Sequence, residues 1–220
     1  MGVWQGRRAL ILSAAPCENL DYVRRFLYEN PECLILCADG GIKYAEQLGV
    51  IPDMVVADFD SGWETAACGE IVRLTPEKDD TDTQHCVQLA IERGCTDLTL
   101  ACATGGRLDH LLGNLLLCEG AYEAGARLVV MDQQNMVFYH PGGTMQFLRK
   151  NAKRYVSLIP LDSKLTGVTM RGLKYPLENA ELTRSNPISI SNEAVNAQFC
   201  IEIREGRALV IFSEDTPKKA

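Results

Sequence analysis

The sequence predicts a two-domain α/β protein, in which a doubly wound, mostly parallel sheet domain is followed by a small all-β sandwich domain. Up to about residue 132, short apolar runs alternate with segments whose apolar residues recur at helical spacing. The runs are continuous, which is typical of parallel strands buried on both faces. Beyond about residue 138 helical patterns largely disappear, and short strand-like segments follow between Gly and Pro residues.

The first part of the chain contains six strand-like runs and four helical patterns. Strands are predicted at residues 9–13, 33–38, 54–58, 71–74, 98–103 and 127–131. Helices are predicted at residues 20–28, 42–48, 83–93 and 108–124. Strand–helix alternation of this kind is typical of a doubly wound sheet.

The second part consists of short strand-like segments separated by turns. They lie at residues 144–148, 155–161, 165–170, 188–191, 198–203 and 208–212. Regular spacing of short strands favours a small antiparallel sandwich or barrel. We therefore predict one domain at residues 1–137 and a second at residues 138–220.

The composition is acidic, with 22 Lys and Arg against 29 Asp and Glu, a formal net charge of −7 over 220 residues. Such a charge does not attract nucleic-acid backbones or anionic lipids. No stretch approaches the roughly 20 apolar residues of a membrane span. We expect neither a nucleic-acid nor a membrane partner, and any anionic substrate must be held by a few placed cations or by bound metal.

Nine cysteines are scattered along the chain without a C-x-x-C pair. Most lie in apolar runs such as residues 33–37, which indicates buried, reduced thiols in a cytoplasmic protein. The chain has only three histidines and no zinc-ligand spacing.

Four loops that follow predicted strands carry carboxylates. Loops at the carboxyl ends of parallel strands converge on one rim, where ligands bind, so these carboxylates are expected to face one another. Taken singly, each loop also fits a helix cap, a first-turn acid or a tight turn. The loops are Asp39-Gly40-Gly41, Asp58-Phe59-Asp60-Ser61, Lys78-Asp79-Asp80-Thr81-Asp82 and Gly105-Gly106-Arg107-Leu108-Asp109-His110.

Taken together, the four loops predict a site for a magnesium polyphosphate. Six or seven carboxylates on one rim would repel one another unless divalent cations neutralised them, and Mg²⁺ prefers oxygen ligands. Asp58 and Asp60 form the strongest pair, because an Asx turn would explain only one of them. Lys78 and Arg107 supply local cations, and the glycines let backbone N–H groups approach phosphate. The chain has neither a G-x-x-x-x-G-K-[ST] loop nor G-x-G-x-x-G.

These four loops, in this order and approximate spacing, resemble those of the thiamine pyrophosphokinases (thiamine diphosphokinases). The resemblance covers roughly residues 8–212. The chain departs from the family in having Ala57 where glycine is common, and in lacking the glycine that commonly precedes Ser191, a departure that concerns the thiamine pocket. Three later segments also match, namely Val156-Ser157-Leu158-Ile159-Pro160-Leu161, Gly172-Leu173-Lys174-Tyr175-Pro176-Leu177 and Ser191-Asn192-Glu193.

The resemblance implies an enzyme that transfers a pyrophosphoryl group from ATP to the thiamine hydroxyl, giving thiamine diphosphate and AMP with the help of Mg²⁺. The hydroxyl oxygen would attack the β-phosphorus while AMP leaves in line, chemistry that depends on positioning and charge neutralisation. The first domain would be the catalytic, ATP-binding domain and the second the thiamine-binding domain. The family also implies a homodimer with active sites between subunits.

The resemblance and the predicted grouping of the four loops together imply a role for individual residues. The residues assigned to magnesium are Asp58, Asp60, Asp82 and Asp109. The catalytic set is Asp39, Asp58, Asp60 and Asp82, with Asp39 and Asp82 both candidates for the proton acceptor. The residues assigned to ATP are Gly40, Gly41, Lys78, Asp79, Thr81, Gly105, Gly106, Arg107 and Asp109. The residues assigned to thiamine are Gln84, Ser191 and Asn192.

An alternative enzyme class is the haloacid-dehalogenase-like phosphatases, whose Asp-x-Asp motif holds a nucleophile and a general acid. That motif normally continues to Thr or Val two residues past the second aspartate, where this chain has Gly62. The other three acidic loops would have no role in such an enzyme.

A second alternative is a thiamine- or nucleotide-sensing module that binds without turnover. A full set of metal carboxylates together with Lys78 and Arg107 exceeds what holding a ligand requires, which favours the enzyme.

Overall fold

The computed structural model describes residues 6–57, 68–73, 80–186 and 188–216. They fall into two units, one ending at Gln133 and the other beginning at Gln134. The predicted boundary, after residue 137, would cut the strand Asn135–His140. That strand pairs with Ala208–Ser213 and therefore belongs to the second unit.

The first unit is built on parallel strands. The strands are β1 (Arg7–Leu12), β2 (Leu34–Ala38), β3 (Met54–Ala57), β4 (Glu70–Arg73), β5 (Cys95–Ala101) and β6 (Arg127–Met131). They pair in the order β6-β5-β1-β2-β3-β4. Strands β2, β3 and β4 lie on one side of β1, and the later strands β5 and β6 lie on its other side. The strand order therefore reverses between β1 and β5.

Helices pack on both faces of these strands. They are α1 (Asp21–Glu29), α2 (Ile42–Leu48), α3 (Asp82–Glu92) and α4 (Leu108–Glu123). Leu10 and Leu12 of β1 share a buried cluster with Val23 of α1 and with residues of α2. Ser13, which follows β1 and points the other way, contacts Thr83 of α3 at 2.8 Å between hydroxyl oxygens. The predicted doubly wound arrangement is therefore confirmed, and no helix among the described residues is long and apolar enough to cross a membrane.

A buried ion pair joins three strands near their amino ends. Asp97 of β5 accepts hydrogen bonds from Arg8 of β1 at 3.1 Å and from Arg127 of β6 at 2.6 Å. Because the Asp97 side chain is only 8% exposed, its charge needs such partners. The two arginines thus compensate the charge of Asp97 at the amino ends of the strands. The predicted acidic loops lie at the opposite, carboxyl ends.

The second unit consists of two antiparallel sheets. The strands are β7 (Asn135–His140), β8 (Gly143–Leu148), β9 (Tyr155–Pro160), β10 (Lys164–Arg171), β11 (Leu177–Thr183), β12 (Asn192–Glu193), β13 (Gln198–Ile203) and β14 (Ala208–Ser213). One sheet has the order β12-β9-β14-β7 and the other β11-β10-β13-β8. Phe138 and Phe212 of the first sheet both contact Phe147 of the second, and Phe212 also contacts Phe199, with ring centroids 5.4–5.9 Å apart. The predicted sandwich is confirmed, with this aromatic cluster between its sheets.

The second unit departs from the predicted elements in three places. Strands β7 and β11 were not predicted. The predicted domain boundary ran through β7, although its last four residues are buried, and in β11 only Leu182 is buried. The predicted strand at residues 188–191 is wrong. Ile188 and Ile190, which suggested it, are exposed, and Ser191 has a left-handed φ of 59°, so the segment turns before the short strand β12.

Replacing Phe138 by Ala should lower the free energy of unfolding by about 3–5 kcal/mol, because it removes a fully buried ring from the aromatic cluster. Urea denaturation followed by circular dichroism measures the change. Tyr28→Ala is the matched control, since that ring is 88% exposed and its loss should change stability by less than about 0.5 kcal/mol. Equal losses in both variants would contradict the assignment of the cluster as the core.

Acid should destabilise the second unit through His140. This side chain is fully buried, it contacts Ile201 O and accepts from Gly142 N–H, and burial lowers its pKa. Below its ordinary pKa of about 6.5, the unfolded chain binds a proton that the folded chain does not, so stability falls with pH by up to about 1.4 kcal/mol per unit. Unfolding measured at pH 7.5 and 5.5 should show a shallower pH dependence in His140→Gln. The exposed-residue control His110→Gln should keep the wild-type slope, and an identical slope in all three proteins would refute the role of His140.

Candidate active site

A cavity of about 500 Å³ opens at the carboxyl ends of β1, β2 and β5. Its walls are residues 13–16 after β1, Ala38 at the end of β2 and Asp39 after it, the start of α3, and residues 105–107 leading into α4. This position is where the strand order reverses, the place at which open parallel sheets bind ligands. Three of the four predicted acidic loops thus contribute to one cavity.

Four predicted site residues lie outside the described residues: Asp58, Asp60, Lys78 and Asp79. Their assignments to magnesium, catalysis and ATP therefore stay predictions. The neighbouring strands β3 and β4 lie beyond β2 in the same sheet, so the loop after β3 begins at the same edge as Asp39.

The segment Asp39–Gly41 is a tight turn that leads into α2. Asp39 adopts a left-handed φ of 46° and lines the cavity. A Cβ on Gly41 would lie 2.1 Å from Leu12 O, so this position excludes any side chain. Gly40 has ordinary space, with Ala14 Cβ at 3.6 Å. The two glycines therefore differ: Gly41 is required for packing against β1, whereas Gly40 lies beside the cavity loop.

The loop after β5 also contacts the loop after β1. A Cβ on Gly105 would lie 2.3 Å from Pro16 O, and Gly106 has a left-handed φ of 81°. Buried Asn114 of α4 donates to Ala103 O at 2.9 Å and holds the base of this loop. These glycines were predicted to let the backbone approach phosphate, and the structure adds that Gly105 also permits contact between the two loops.

The loop after β1, residues 13–16, is the part of the cavity that sequence reasoning missed. Its carbonyls are held by α2: Lys43 Nζ donates to Ala14 O at 3.3 Å and Tyr44 Oη donates to Ala15 O at 2.6 Å. The loop has no charged side chain, so a search for catalytic residue types does not find it. Its position after the strand at which the sheet order reverses is the signal that could have done so.

The start of α3 brings two predicted residues to the cavity. Thr81 is the N-cap, and its Oγ1 accepts from Gln84 N–H at 3.1 Å. Asp82 follows in the first turn, where the helix dipole favours a carboxylate, and it lines the cavity beside Thr81. The Gln84 side chain lines an adjoining cavity of about 230 Å³ together with Asp109.

Arg107 and Asp109 form a bidentate ion pair at the start of α4. Arg107 donates from Nε at 3.1 Å and from a terminal nitrogen at 2.5 Å, and His110 N–H donates to the same carboxylate at 2.9 Å. These hydrogen bonds, that from Arg107 foremost, lower the pKa of Asp109 to about 2. Both side chains are exposed, so the pair can open at little cost when a stronger anion approaches Arg107.

Ser191 and Asn192 belong to the second unit. Asn192 is buried, and its amide is used by the backbone: Oδ1 accepts from Tyr175 N–H at 2.9 Å and Nδ2 donates to Tyr175 O at 2.7 Å. Ser191 is exposed, and its N–H donates to Ser157 Oγ at 3.0 Å. Asn192 thus fixes the backbone of Tyr175, a residue that is 60% exposed.

Among residues 6–57, 68–73, 80–186 and 188–216, no three His, Cys, Asp or Glu side chains lie close enough to hold a metal ion. Within the cavity, the carboxylates are Asp39 and Asp82. Carboxylate oxygens suit Mg²⁺ better than they suit a soft transition metal, so the donor chemistry fits the predicted cation.

Two family models match the chain, one in each unit. Residues 27–130 match the catalytic domain of thiamin pyrophosphokinase, and residues 144–208 match the vitamin B1 binding domain of thiamin pyrophosphokinase. Together they cover more than half of the chain. The chain belongs to the thiamin pyrophosphokinase family.

Individual relatives agree with this family. The thiamine pyrophosphokinase of Bacillus subtilis is 30% identical over 195 residues, which cover 86% of this chain and 91% of that protein. The crystal structure of a Bacillus subtilis thiamine pyrophosphokinase superposes with a TM-score of 0.84 at 27% identity, over 96% of this chain and all of that one. The thiamin pyrophosphokinase of Geobacillus thermodenitrificans gives 0.81 at 27% identity, over 96% and 99%. The predicted family, fold class and enzyme class are confirmed.

Gly41→Ala should destabilise this thiamin pyrophosphokinase family member by about 1–3 kcal/mol, because the new methyl group would displace the backbone at Leu12. Gly40→Ala, one residue earlier with ordinary space, should change stability by less than about 0.5 kcal/mol. Urea denaturation of both variants against wild type measures the difference. Equal stabilities of the two variants would show that the turn does not need the close approach at Gly41.

Proposed function

We propose that this chain binds ATP in the cavity of the first unit and transfers its pyrophosphoryl group to thiamine with Mg²⁺. The activity itself, thiamine pyrophosphokinase activity in thiamine diphosphate synthesis, follows from family membership. The observation that supports the placement is the meeting of Asp39, Asp82 and the loop 105–107 in one cavity at the point of strand-order reversal.

The triphosphate of ATP is placed against residues 105–107 and the amino ends of α3 and α4. Both helices begin at the cavity, and their first N–H groups and dipoles favour an anion. Gly106 is exposed, and its backbone can approach phosphate oxygens without a side chain intervening. Residues 13–16 line the same cavity.

Arg107 is assigned to the phosphates, and Asp109 is assigned to hold Arg107 ready for them. In the free protein the guanidinium is bound by Asp109 through two hydrogen bonds. A polyphosphate carries more charge than one carboxylate, so Arg107 can exchange one bidentate partner for another. We therefore propose a positioning role for Asp109 in place of the predicted role in metal binding.

Asp82 would hold magnesium together with the predicted ligands Asp58 and Asp60. When bound, Mg²⁺ neutralises phosphate charge and polarises the phosphoryl oxygens. One of the two cavity carboxylates, Asp39 or Asp82, takes the proton from the thiamine hydroxyl. Asp39 suits this role because it lines the same cavity as the loop 13–16 and is not assigned to magnesium.

Thiamine is placed against the second unit, at the exposed Tyr175 ring and Ser191. Because Asn192 fixes both backbone groups of Tyr175, the ring is held on a rigid support. An exposed aromatic face suits both the flat aminopyrimidine and the cationic thiazolium of thiamine. Asn192 acts through Tyr175, and Gln84 stays a candidate contact on the first unit.

We place the active site between two copies of the chain, as a homodimer. Residues 1–133 contain 10 Lys or Arg and 21 Asp or Glu and are acidic. Residues 134–220 contain 12 Lys or Arg and 8 Asp or Glu and are basic. Because these two parts of the chain carry net charges of opposite sign, the first unit of one copy is attracted to the second unit of another. We further propose a cytoplasmic location without nucleic-acid or membrane partners, in keeping with nine cysteines outside any disulfide and with the acidic composition.

One assay separates the enzyme from its alternatives. The protein is incubated with thiamine, ATP and Mg²⁺, and thiamine diphosphate and AMP are quantified by chromatography and mass spectrometry. We expect the two products in equal amounts and none without Mg²⁺. Free phosphate alone would favour the phosphatase, ADP would exclude pyrophosphoryl transfer, and binding without product would favour the sensor.

Asp82→Asn should lower kcat at least about 100-fold while changing stability by less than about 1 kcal/mol, because the amide removes the charge of a cavity-lining carboxylate but keeps its size and one oxygen acceptor. Steady-state kinetics and urea denaturation measure the two effects. Asp21→Asn is the matched control: Asp21 is also a first-turn acid, on α1, and does not line the cavity. Turnover of Asp82→Asn within threefold of the control would remove Asp82 from the catalytic set.

A further inference from the structure

Two thiols and a phenol cluster next to the residues that line the main cavity. Tyr22 Oη, on α1, lies 3.6 Å from Cys17 Sγ and 3.7 Å from Cys102 Sγ. The two thiols are also within hydrogen-bonding reach of each other. The proposed phosphate and thiamine contacts use none of the three side chains.

The cluster ties the loop after β1 to the end of β5. Cys102 has a left-handed φ of 55°, and its N–H donates to Tyr22 Oη at 3.2 Å. Its carbonyl accepts from Ala15 N–H at 3.0 Å. Cys17 directly follows Pro16, and Cys102 lies three residues before Gly105, so each thiol adjoins one of two loops that line the cavity.

The two thiols differ in access. Cys17 is half-buried, whereas Cys102 is 2% exposed, and burial raises the pKa of the Cys102 thiol to about 12. An oxidant from solvent therefore meets Cys17 first, and Cys102 is the neighbouring thiol that can react with the oxidised Cys17.

We propose that Cys17 and Cys102 form a reversible disulfide under hydrogen peroxide and that this bond weakens ATP binding. Peroxide oxidises the Cys17 thiol to a sulfenic acid and is itself reduced, and one water is released. The Cys102 sulfur then attacks the Cys17 sulfur. The S–S bond forms, the S–O bond breaks, and the hydroxyl leaves with the Cys102 proton as a second water. A dithiol reductant reverses the step.

The bond would move the cavity wall. A disulfide holds its sulfurs at about 2.05 Å, far closer than two unbonded thiols. Closing that gap draws Cys17 and its neighbour Pro16 towards the end of β5. The space there is already filled, because a Cβ on Gly105 would lie 2.3 Å from Pro16 O. The loops 13–16 and 105–107 must therefore shift, and both line the cavity.

The full-length protein is treated with hydrogen peroxide and analysed by intact mass, tryptic mapping and calorimetric titration with ATP. We expect a mass loss of about 2 Da, for two hydrogens. Trypsin should release a linked pair of peptides, residues 9–24 and 94–107. Because the second peptide also contains Cys95, fragmentation must assign the link to Cys102. ATP affinity should fall about tenfold, because displacing binding groups by about 1 Å has effects of this size or larger. Dithiothreitol should restore the affinity.

Cys17→Ser should lose both the mass change and the peroxide response of ATP binding. Cys33→Ser is the matched control, because Cys33 is also half-buried but precedes β2 at the amino edge of the sheet. It should behave as wild type. Absence of the 2 Da loss, a link through another cysteine pair, or unchanged ATP affinity in the cross-linked protein would each overturn the proposal. The mass and mapping results do not depend on thiamine turnover, so they separate this proposal from the proposed function.

Discussion

Parallel pairing of β1 with strands on both of its edges is the constraint on which the first unit depends. β2 lies on one side and β5 on the other, in registers that bring the three carboxyl ends level. Because the strand order reverses here, the loops leave in different directions and open a crevice between them. The turn after β2, the loop after β1 and the loop after β5 then become walls of one cavity.

Close backbone contacts set the shape of that cavity. Gly41 lies against Leu12, and Gly105 lies against Pro16, at distances that leave no room for a Cβ. The same glycines that mark a phosphate loop in the sequence are thus also packing residues in the fold. Because Gly105 packs against Pro16, residues 13–16 are held next to the loop 105–107 and line the site although they carry no charged side chain.

Electrostatics differ between the two ends of the strands. At the amino end, Asp97 is buried between Arg8 and Arg127, and its charge is neutralised within the protein. At the carboxyl end, Asp39 and Asp82 line an open cavity, and the guanidinium of Arg107 is held by Asp109. An acidic cavity with one exchangeable arginine suits a nucleotide that arrives with its divalent cation.

The sequence by itself determined the family, the two fold classes and most of the loops that form the cavity, because continuous apolar runs, helical spacing and glycine–aspartate motifs are local patterns. It did not determine the strand β11, which forms by pairing with β10 although only Leu182 is buried, or the turn at residues 188–191, where both isoleucines are exposed. Only the tertiary structure showed that Asn192 clamps the backbone of Tyr175 and that Asp109 binds Arg107. Motif spacing identifies which polar groups are present, but their partners depend on hydrogen-bond geometry between segments that only folding brings together.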